Sequence, residues 1–244
     1  SLLAAGHHVS GVDCYLDFYP QAYKDANLVA VREHPRFGML AEDLSRRGAV
    51  SAELGRALSE ADVIYHLAAQ PGVRGSWGSS FETYSDCNVL ATQRVLEACR
   101  QATPDRLVYA SSSSVYGDAE HLPLHEEGPC RPISPYGVTK LAGEHLCRLY
   151  HVAFGLPVVS LRFFTVYGPR QRPDMAFHKV LRAALEGPRF RVFGDGQQTR
   201  DFTYIDDIVA GRLAAGGLAD GAAAPPPGSI INLGGGSRVT LRQA

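Results

Sequence analysis

Short runs of apolar, largely β-branched residues alternate with longer segments whose apolar positions recur at helical spacing. This alternation runs through most of the chain. It predicts a parallel sheet covered by helices on both faces, because parallel strands need crossover connections and are buried on both sides. The predicted strands are Val9–Asp13, Asp62–Leu67, Arg106–Ala110 and Val158–Phe164. Between them, residues 82–101 carry Val89, Val95, Leu96 and Cys99 at mostly helical intervals. Residues 136–154 carry Leu141, Leu146, Leu149 and Tyr150 in the same way, until Gly155 stops the helix. After Phe164 the alternation loosens. A helix is predicted over Met175–Glu186, a short strand over Arg191–Gly194, a helix over Ile205–Leu218 and a last strand over Ile230–Leu233. Gly216–Ser229, rich in Gly, Ala and Pro, reads as a mobile surface loop. No internal repeat is visible.

These elements predict an α/β fold, a Rossmann-type doubly wound parallel sheet with a smaller C-terminal lobe. Residues 1–165 form the dinucleotide-binding part and 166–244 the substrate lobe, with strand exchange between the two allowed. In such a fold an acidic residue about 20 positions beyond a glycine-rich turn ends the second strand and holds the adenosine ribose. Asp13 fits that position. The turn and first strand would then precede Ser1, residues 1–6 would be the tail of the first helix, and the lobe would continue past Ala244. The chain therefore reads as beginning inside the fold.

With 244 residues and 45% hydrophobic content, the composition is that of an ordinary globular core. The net charge of −1 gives no general attraction to nucleic acid or to an anionic membrane. Five cysteines, Cys14, Cys87, Cys99, Cys130 and Cys147, are odd in number and lack C-x-x-C spacing. That argues against a disulfide framework and a zinc site, and favours a reducing cytoplasm. No apolar run approaches the roughly 20 residues of a bilayer span, and no signal segment opens the chain.

The chemistry concentrates in Tyr136-Gly-Val-Thr-Lys140. With Ser134 as helix cap and Pro135 in the first position, Tyr136 and Lys140 stand four apart and share one helical face. An ammonium near a phenol favours phenolate, which makes the tyrosine a usable base. Such a base could take the proton of a sugar or alcohol hydroxyl while hydride leaves the same carbon. A serine of the run Ser111-Ser112-Ser113-Ser114 would bond that oxygen. The run follows the predicted strand Arg106–Ala110, at the carboxyl end where open α/β sheets bind ligands. Tyr-x-x-x-Lys also arises by chance on many helices, and serines at a strand end often only turn the backbone.

Several segments in order carry a family resemblance: Gly11-Val-Asp13, Asp43-Leu44, His66-Leu-Ala-Ala-Gln70, Asn88-Val89, the serine run, Tyr136 to Lys140, Arg162-Phe-Phe-Thr-Val-Tyr-Gly-Pro169, and Arg200-Asp-Phe-Thr-Tyr-Ile-Asp-Asp207. Each is weak alone, and their order and spacing are specific. The chain resembles the extended short-chain dehydrogenase/reductase family of NAD-dependent epimerases and dehydratases, most of all its UDP-glucuronate 4-epimerases. The resemblance implies NAD as cofactor, a UDP-sugar as substrate and a homodimer. It places Asp13 on the adenosine ribose, Asp43 and Leu44 at the adenine, and Leu67, Ala68, Ala69, Asn88, Ser111 and Phe163 along the cofactor path. Lys140 would also bond the nicotinamide ribose. Ser112, with Ser113 beside it, matches the catalytic hydroxyl. Gln70, Arg74, Ser112, Thr165, Arg191, Phe193 and Arg200 would meet the substrate, Arg191, Val192 and Phe193 facing the uridine and Arg200 the diphosphate.

Related 4,6-dehydratases place an Asp and a Glu directly after the catalytic hydroxyl, and related decarboxylases a Glu before the Val-Tyr-Gly. Here Ser113 and Ser114 stand in those places and supply no carboxylate. Dehydration is therefore disfavoured, and C4 epimerisation through a 4-keto sugar, which needs less machinery, is the reaction the resemblance implies. The loops Gln70-Pro-Gly-Val-Arg74 and Arg172-Pro-Asp-Met-Ala176 resemble the glucuronate versions, with Thr165 and nearby amides as donors for a sugar carboxylate. A neutral UDP-hexose epimerase, and an inactive fragment or sugar-nucleotide-binding module, are the alternatives.

Overall fold

A computed structural model describes residues 1–46, 48, 50–118, 121–187, 194–236 and 238–244. In chain order, strand β1 (Val9–Asp13), helix α1 (Gln21–Leu28), β2 (Phe37–Ala41), α2 (Ala52–Ser59) and β3 (Val63–His66) are followed by α3 (Phe81–Ser85). A π-helical turn, Asp86–Leu90, leads into α4 (Ala91–Ala102), β4 (Arg106–Ser112), α5 (Pro135–Phe154) and β5 (Val158–Phe163). Then come β6 (Thr165–Tyr167), α6 (Ala176–Glu186), β7 (Thr199–Tyr204), α7 (Ile205–Ala215), β8 (Ile230–Leu233) and β9 (Arg238–Thr240).

These elements form two units. The larger comprises Asp43–Phe163 and Ala210–Leu233; the smaller comprises Ser1–Glu42, Phe164–Val209 and Gly234–Ala244. In the larger unit β3, β4, β5 and β8 pair in that order, all parallel. The middle strands are apolar and buried on both faces, as parallel strands must be. On one face Leu107 and Tyr109 pack with Val95, Leu96 and Cys99 of α4 and Cys147 and Tyr150 of α5. On the other, Val108, Val159 and Leu161 meet Ala215 and Ile231. Each fully buried leucine here contributes roughly 2 kcal/mol. In the smaller unit β1 pairs parallel with β2, while β7 pairs parallel with β6 and antiparallel with β9.

The α/β class and the Rossmann-type parallel sheet are those expected, and β1 and β8 fall where the pattern put them. The differences have local causes. The helix expected over 82–101 is broken by the π turn, where the Ala91 N–H reaches the Asp86 carbonyl five residues back. β5 stops at Phe163 and α7 at Ala215, just before Gly216 and Gly217. The segment 216–229 is irregular, and its end is fastened to β5 by Gly228 N–H to Val158 O and Ser160 N–H to Ser229 O. Of the strand expected over Arg191–Gly194, residues 191–193 lie outside the described residues and Gly194 lies in a turn.

Candidate active site

Helix α5 begins as its sequence dictates. The Ser134 hydroxyl accepts the Gly137 N–H at 3.1 Å, Pro135 fills the first helical position, and Gly155 closes the helix with φ +70°. Two glycines let it lie against the carboxyl end of β4. A Cβ on Gly137 would stand 2.6 Å from the Ser114 carbonyl oxygen, and one on Gly143 would stand 2.0 Å from Tyr109 Oη. Glycine is therefore what lets the start of α5 approach the serine run.

Lys140 is buried, with its ammonium donating to the Ala110 carbonyl at 2.8 Å and lying 5.3 Å from the centre of the Tyr109 ring. Burial lowers its pKa to about 8 from an ordinary 10.5. One turn earlier on the same helix, Tyr136 is partly buried and packs edge-on against Tyr84, with ring centres 6.2 Å apart. Ser112 ends β4 and caps the short turn Ser113–Val115, its hydroxyl accepting the Ser114 N–H and donating to Ser114 Oγ, both at 3.2 Å. The capping role weighed for the serines is thus present at Ser112. Ser111 donates its hydroxyl to Glu144.

Asn88 joins this cluster from the π turn. Its side chain accepts the Gln70 N–H at 2.7 Å, and donates to the Gln70 carbonyl and to Thr139 Oγ1, each at 3.0 Å. Gln70 is buried, whereas Leu67, Ala68 and Arg74 are exposed and Ala69 is half-buried. Below them His66 is buried, 2.9 Å from Thr92 Oγ1. Burial, and secondarily the Lys140 charge, lowers its pKa to about 3. Asp43 accepts two bonds from Ser45, Leu44 packs on the core with its carbonyl bonded by Arg94, and Phe163 packs beside Val108 and Leu161. The larger unit thus gathers Tyr136, Lys140, Ser111, Ser112, Ser113, Asn88 and Gln70 around one end of β4.

In the smaller unit, Asp13 ends β1 with its side chain 45% exposed; it accepts the Tyr15 N–H at 2.6 Å and faces Lys24 Nζ at 3.3 Å. Thr165 opens β6, and exposed Arg200 on β7 donates to the Thr199 carbonyl. Arg172 is held by Asp174 through two bonds of 3.0 and 3.1 Å and borders a cavity of about 630 Å³ with Tyr19, Tyr23, Tyr167, Phe177 and His178. Arg191, Val192 and Phe193 lie outside the described residues. Among the described residues no cluster of three or more His, Cys, Asp or Glu could hold a metal ion, and no helix is long and apolar enough to cross a membrane.

Glu144, with no role expected of it, and Arg162, which heads one of the family segments, meet in the core of the larger unit. Two signals were available. Glu144 continues the four-residue spacing of Tyr136 and Lys140, and Arg162 is a lone charge inside an apolar strand.

Comparisons with known proteins converge on one family. The model of the NAD dependent epimerase/dehydratase family matches residues 1–234. A Bacillus subtilis (strain 168) protein named as an uncharacterized UDP-glucose epimerase, YtcB, is 46% identical over 235 residues, covering 96% of this chain and 71% of that protein. The UDP-glucuronate 4-epimerase of Thermodesulfobacterium geofontis (strain OPF15) is 38% identical over 96% of this chain and 70% of its own. The crystal structure of UDP-glucuronic acid 4-epimerase from Bacillus cereus, in complex with UDP-glucuronic acid and NAD, superposes with a TM-score of 0.90. It is 44% identical, over 99% of this chain and 74% of that one. With the motifs, the parallel sheet and these matches in agreement, the chain belongs to the NAD dependent epimerase/dehydratase family.

Proposed function

We propose that the chain is an NAD-dependent 4-epimerase of UDP-sugars that interconverts UDP-glucuronate and UDP-galacturonate. The observation that carries this is the single face of α5 that presents Tyr136 and Lys140 where β4 ends in Ser112. The residues fit the cofactor. The half-exposed Asp13 carboxylate offers acceptors for a ribose diol, and the Lys140 ammonium has further N–H donors beyond the one given to Ala110. NAD, when bound, supplies reversible hydride transfer at C4 of the sugar.

The protein's own part is proton transfer and orientation. The Lys140 charge favours the phenolate of Tyr136, whose oxygen takes the proton of the C4 hydroxyl and later returns it. Ser112, with Ser113 beside it, bonds the same sugar oxygen. The hydroxyls of Ser113 and Ser114 give no carboxylate acid or base, so the 4-keto sugar is turned over rather than dehydrated. Gln70, Arg74 and Thr165 would orient the sugar and its carboxylate, and Arg200 would meet the diphosphate. Arg191 and Phe193 are assigned to the uridine from the sequence alone.

The second reading is a neutral UDP-hexose 4-epimerase, which the name of the B. subtilis relative favours. Incubation of the purified chain with UDP-glucuronate should give UDP-galacturonate without net consumption of NAD, and conversion of UDP-glucose alone would select the second reading. Tyr136→Phe should lower kcat at least about 100-fold with little change in nucleotide binding, in keeping with general acid–base contributions. Undiminished turnover removes the tyrosine from the mechanism.

A homodimer through α5 is supported by the exposure of Leu149, Val152 and Phe154 on that helix. Light scattering in solution tests it. The odd number of cysteines and their lack of C-x-x-C spacing support a reducing compartment.

A further inference from the structure

Arg162 and Glu144 form an ion pair with both side chains almost wholly buried, at 3% and 2% exposure. The contact is two-pronged: Nε to Oε1 at 2.9 Å and Nη2 to Oε2 at 2.8 Å. Burial pulls the guanidinium pKa down, but the bonds and charge of Glu144 outweigh it and hold the group above its ordinary value. Every side of the pair is bonded to a different element. Ser111 of β4 donates to Glu144. Arg162 donates to Tyr116 Oη at 2.8 Å, to the Glu126 carbonyl at 3.0 Å and to Cys130 Sγ at 3.2 Å. The Tyr116 hydroxyl in turn donates to Asn232 Oδ1 at 2.7 Å, and the Asn232 backbone N–H donates to Glu126 Oε1 at 2.7 Å.

A buried ion pair is a poor source of stability, since desolvating both groups offsets most of their attraction and apolar residues of similar volume would hold the core as well. What it does supply is register. Adjacent residues of β4 grip residues one turn apart on α5: the Ala110 carbonyl takes Lys140, and Ser111 gives to Glu144. Ser111 is also the β4 residue paired with Arg162 of β5, so the two-pronged contact fixes the same rung from the next strand. Directional bonds of this kind resist a shift of the helix, whose residues rise roughly 1.5 Å each, along its own axis. An error of about 1 Å in a reacting group costs about 100-fold in rate.

We infer that Glu144 and Arg162 are positioning residues that fix the height of α5 against β4 and so set Tyr136 relative to Ser112. The catalytic part of this inference rests on the epimerase reading above.

The test uses the purified chain and the double variant Glu144→Leu/Arg162→Met beside Glu144→Leu alone. The single change strands a buried charge and should lower the thermal midpoint. The double change should recover part of that loss, falling short of the parent by the bonds that Ser111, Tyr116 and the Glu126 carbonyl lose with it. It should nevertheless keep kcat down by about 100-fold, with KM altered less than about threefold, and speed amide hydrogen exchange over residues 135–143. Full recovery of kcat, or parental exchange over 135–143, overturns the inference. Should the double variant fail to fold, Tyr116→Phe decides: a several-fold drop in kcat at constant KM supports positioning, and unchanged kcat overturns it. If the parent chain turns over neither UDP-glucuronate nor UDP-glucose, the functional reading fails, and the exchange experiment still decides the positioning role on its own.

Discussion

Lys140 spends one N–H on the carbonyl of Ala110, 30 residues earlier and 2.8 Å away, in a place closed to solvent. That contact joins the face of α5 that bears Tyr136 and Lys140 to the strand whose end carries the serines. It also means that the protein keeps an ammonium where burial disfavours it, so this side chain should trade stability for chemistry.

Lys140→Met should abolish turnover and leave the chain at least as stable as the parent at pH 7, by up to about 3 kcal/mol for the removed shift in pKa. The sign follows from proton binding. Between pH 8 and 10.5 the unfolded chain holds the lysine proton and the folded chain has shed it, so parental stability rises with pH across that window. The variant should lose that rise. Denaturant titrations at several pH values measure both effects.

His66 gives the opposite end of the pH scale. The unfolded chain takes up its proton near 6.5, whereas the folded chain resists until about 3, so stability falls as the pH drops through that window. His66→Phe keeps a ring against Tyr109, 5.7 Å away centre to centre, and loses the Thr92 contact. The variant should be somewhat less stable at pH 7 and should show a flatter acid limb, by up to about 5 kcal/mol over the window. An unchanged acid limb in thermal melts would refute the assignment.

Asn88→Ala should cost about 2–4 kcal/mol, because it strands the Gln70 N–H and carbonyl inside the protein and removes the bond to Thr139. Equilibrium unfolding reads the cost. KM for the sugar nucleotide should rise as well, since Gln70 leads the segment that runs to Arg74.

Gly143→Ala sets two effects against each other. Helix propensity favours alanine by about 1 kcal/mol. Against it stands a new Cβ 2.0 Å from the hydroxyl of Tyr109, whose ring is buried and whose Oη lies 3.4 Å from the Lys140 carbonyl. The clash wins, and the variant should melt lower, with a net loss of about 1–3 kcal/mol.

The site was legible in sequence where local rules coincide. Ser134, Pro135 and Gly155 mark both ends of α5, and the four-residue spacing of Tyr136 and Lys140 fixes their common face. Other elements lacked a local signal. β7 reads Thr-Arg-Asp-Phe-Thr-Tyr and α1 reads Gln-Ala-Tyr-Lys-Asp-Ala-Asn-Leu, both too polar to register as apolar runs, and their partners along the sheet or unit lie far away in sequence. β2 is five residues long and gains its meaning only from pairing with β1. The meeting of Glu144 with Arg162 is likewise a tertiary event: the sequence marks each as unusual, but only the packing of α5 on β5 brings them together.

The π turn at Asp86–Leu90 makes the length of this stretch matter more than its composition. Val95, Leu96 and Cys99 lock the following helix into the core, so removing one codon between 86 and 90 could only be absorbed upstream. An unbroken α-helix would form, and everything before the deletion would swing by about 100°. Tyr84 would leave the ring of Tyr136, and the amide of Asn88 would leave Gln70. A library of single-residue deletions should therefore find a dead zone here.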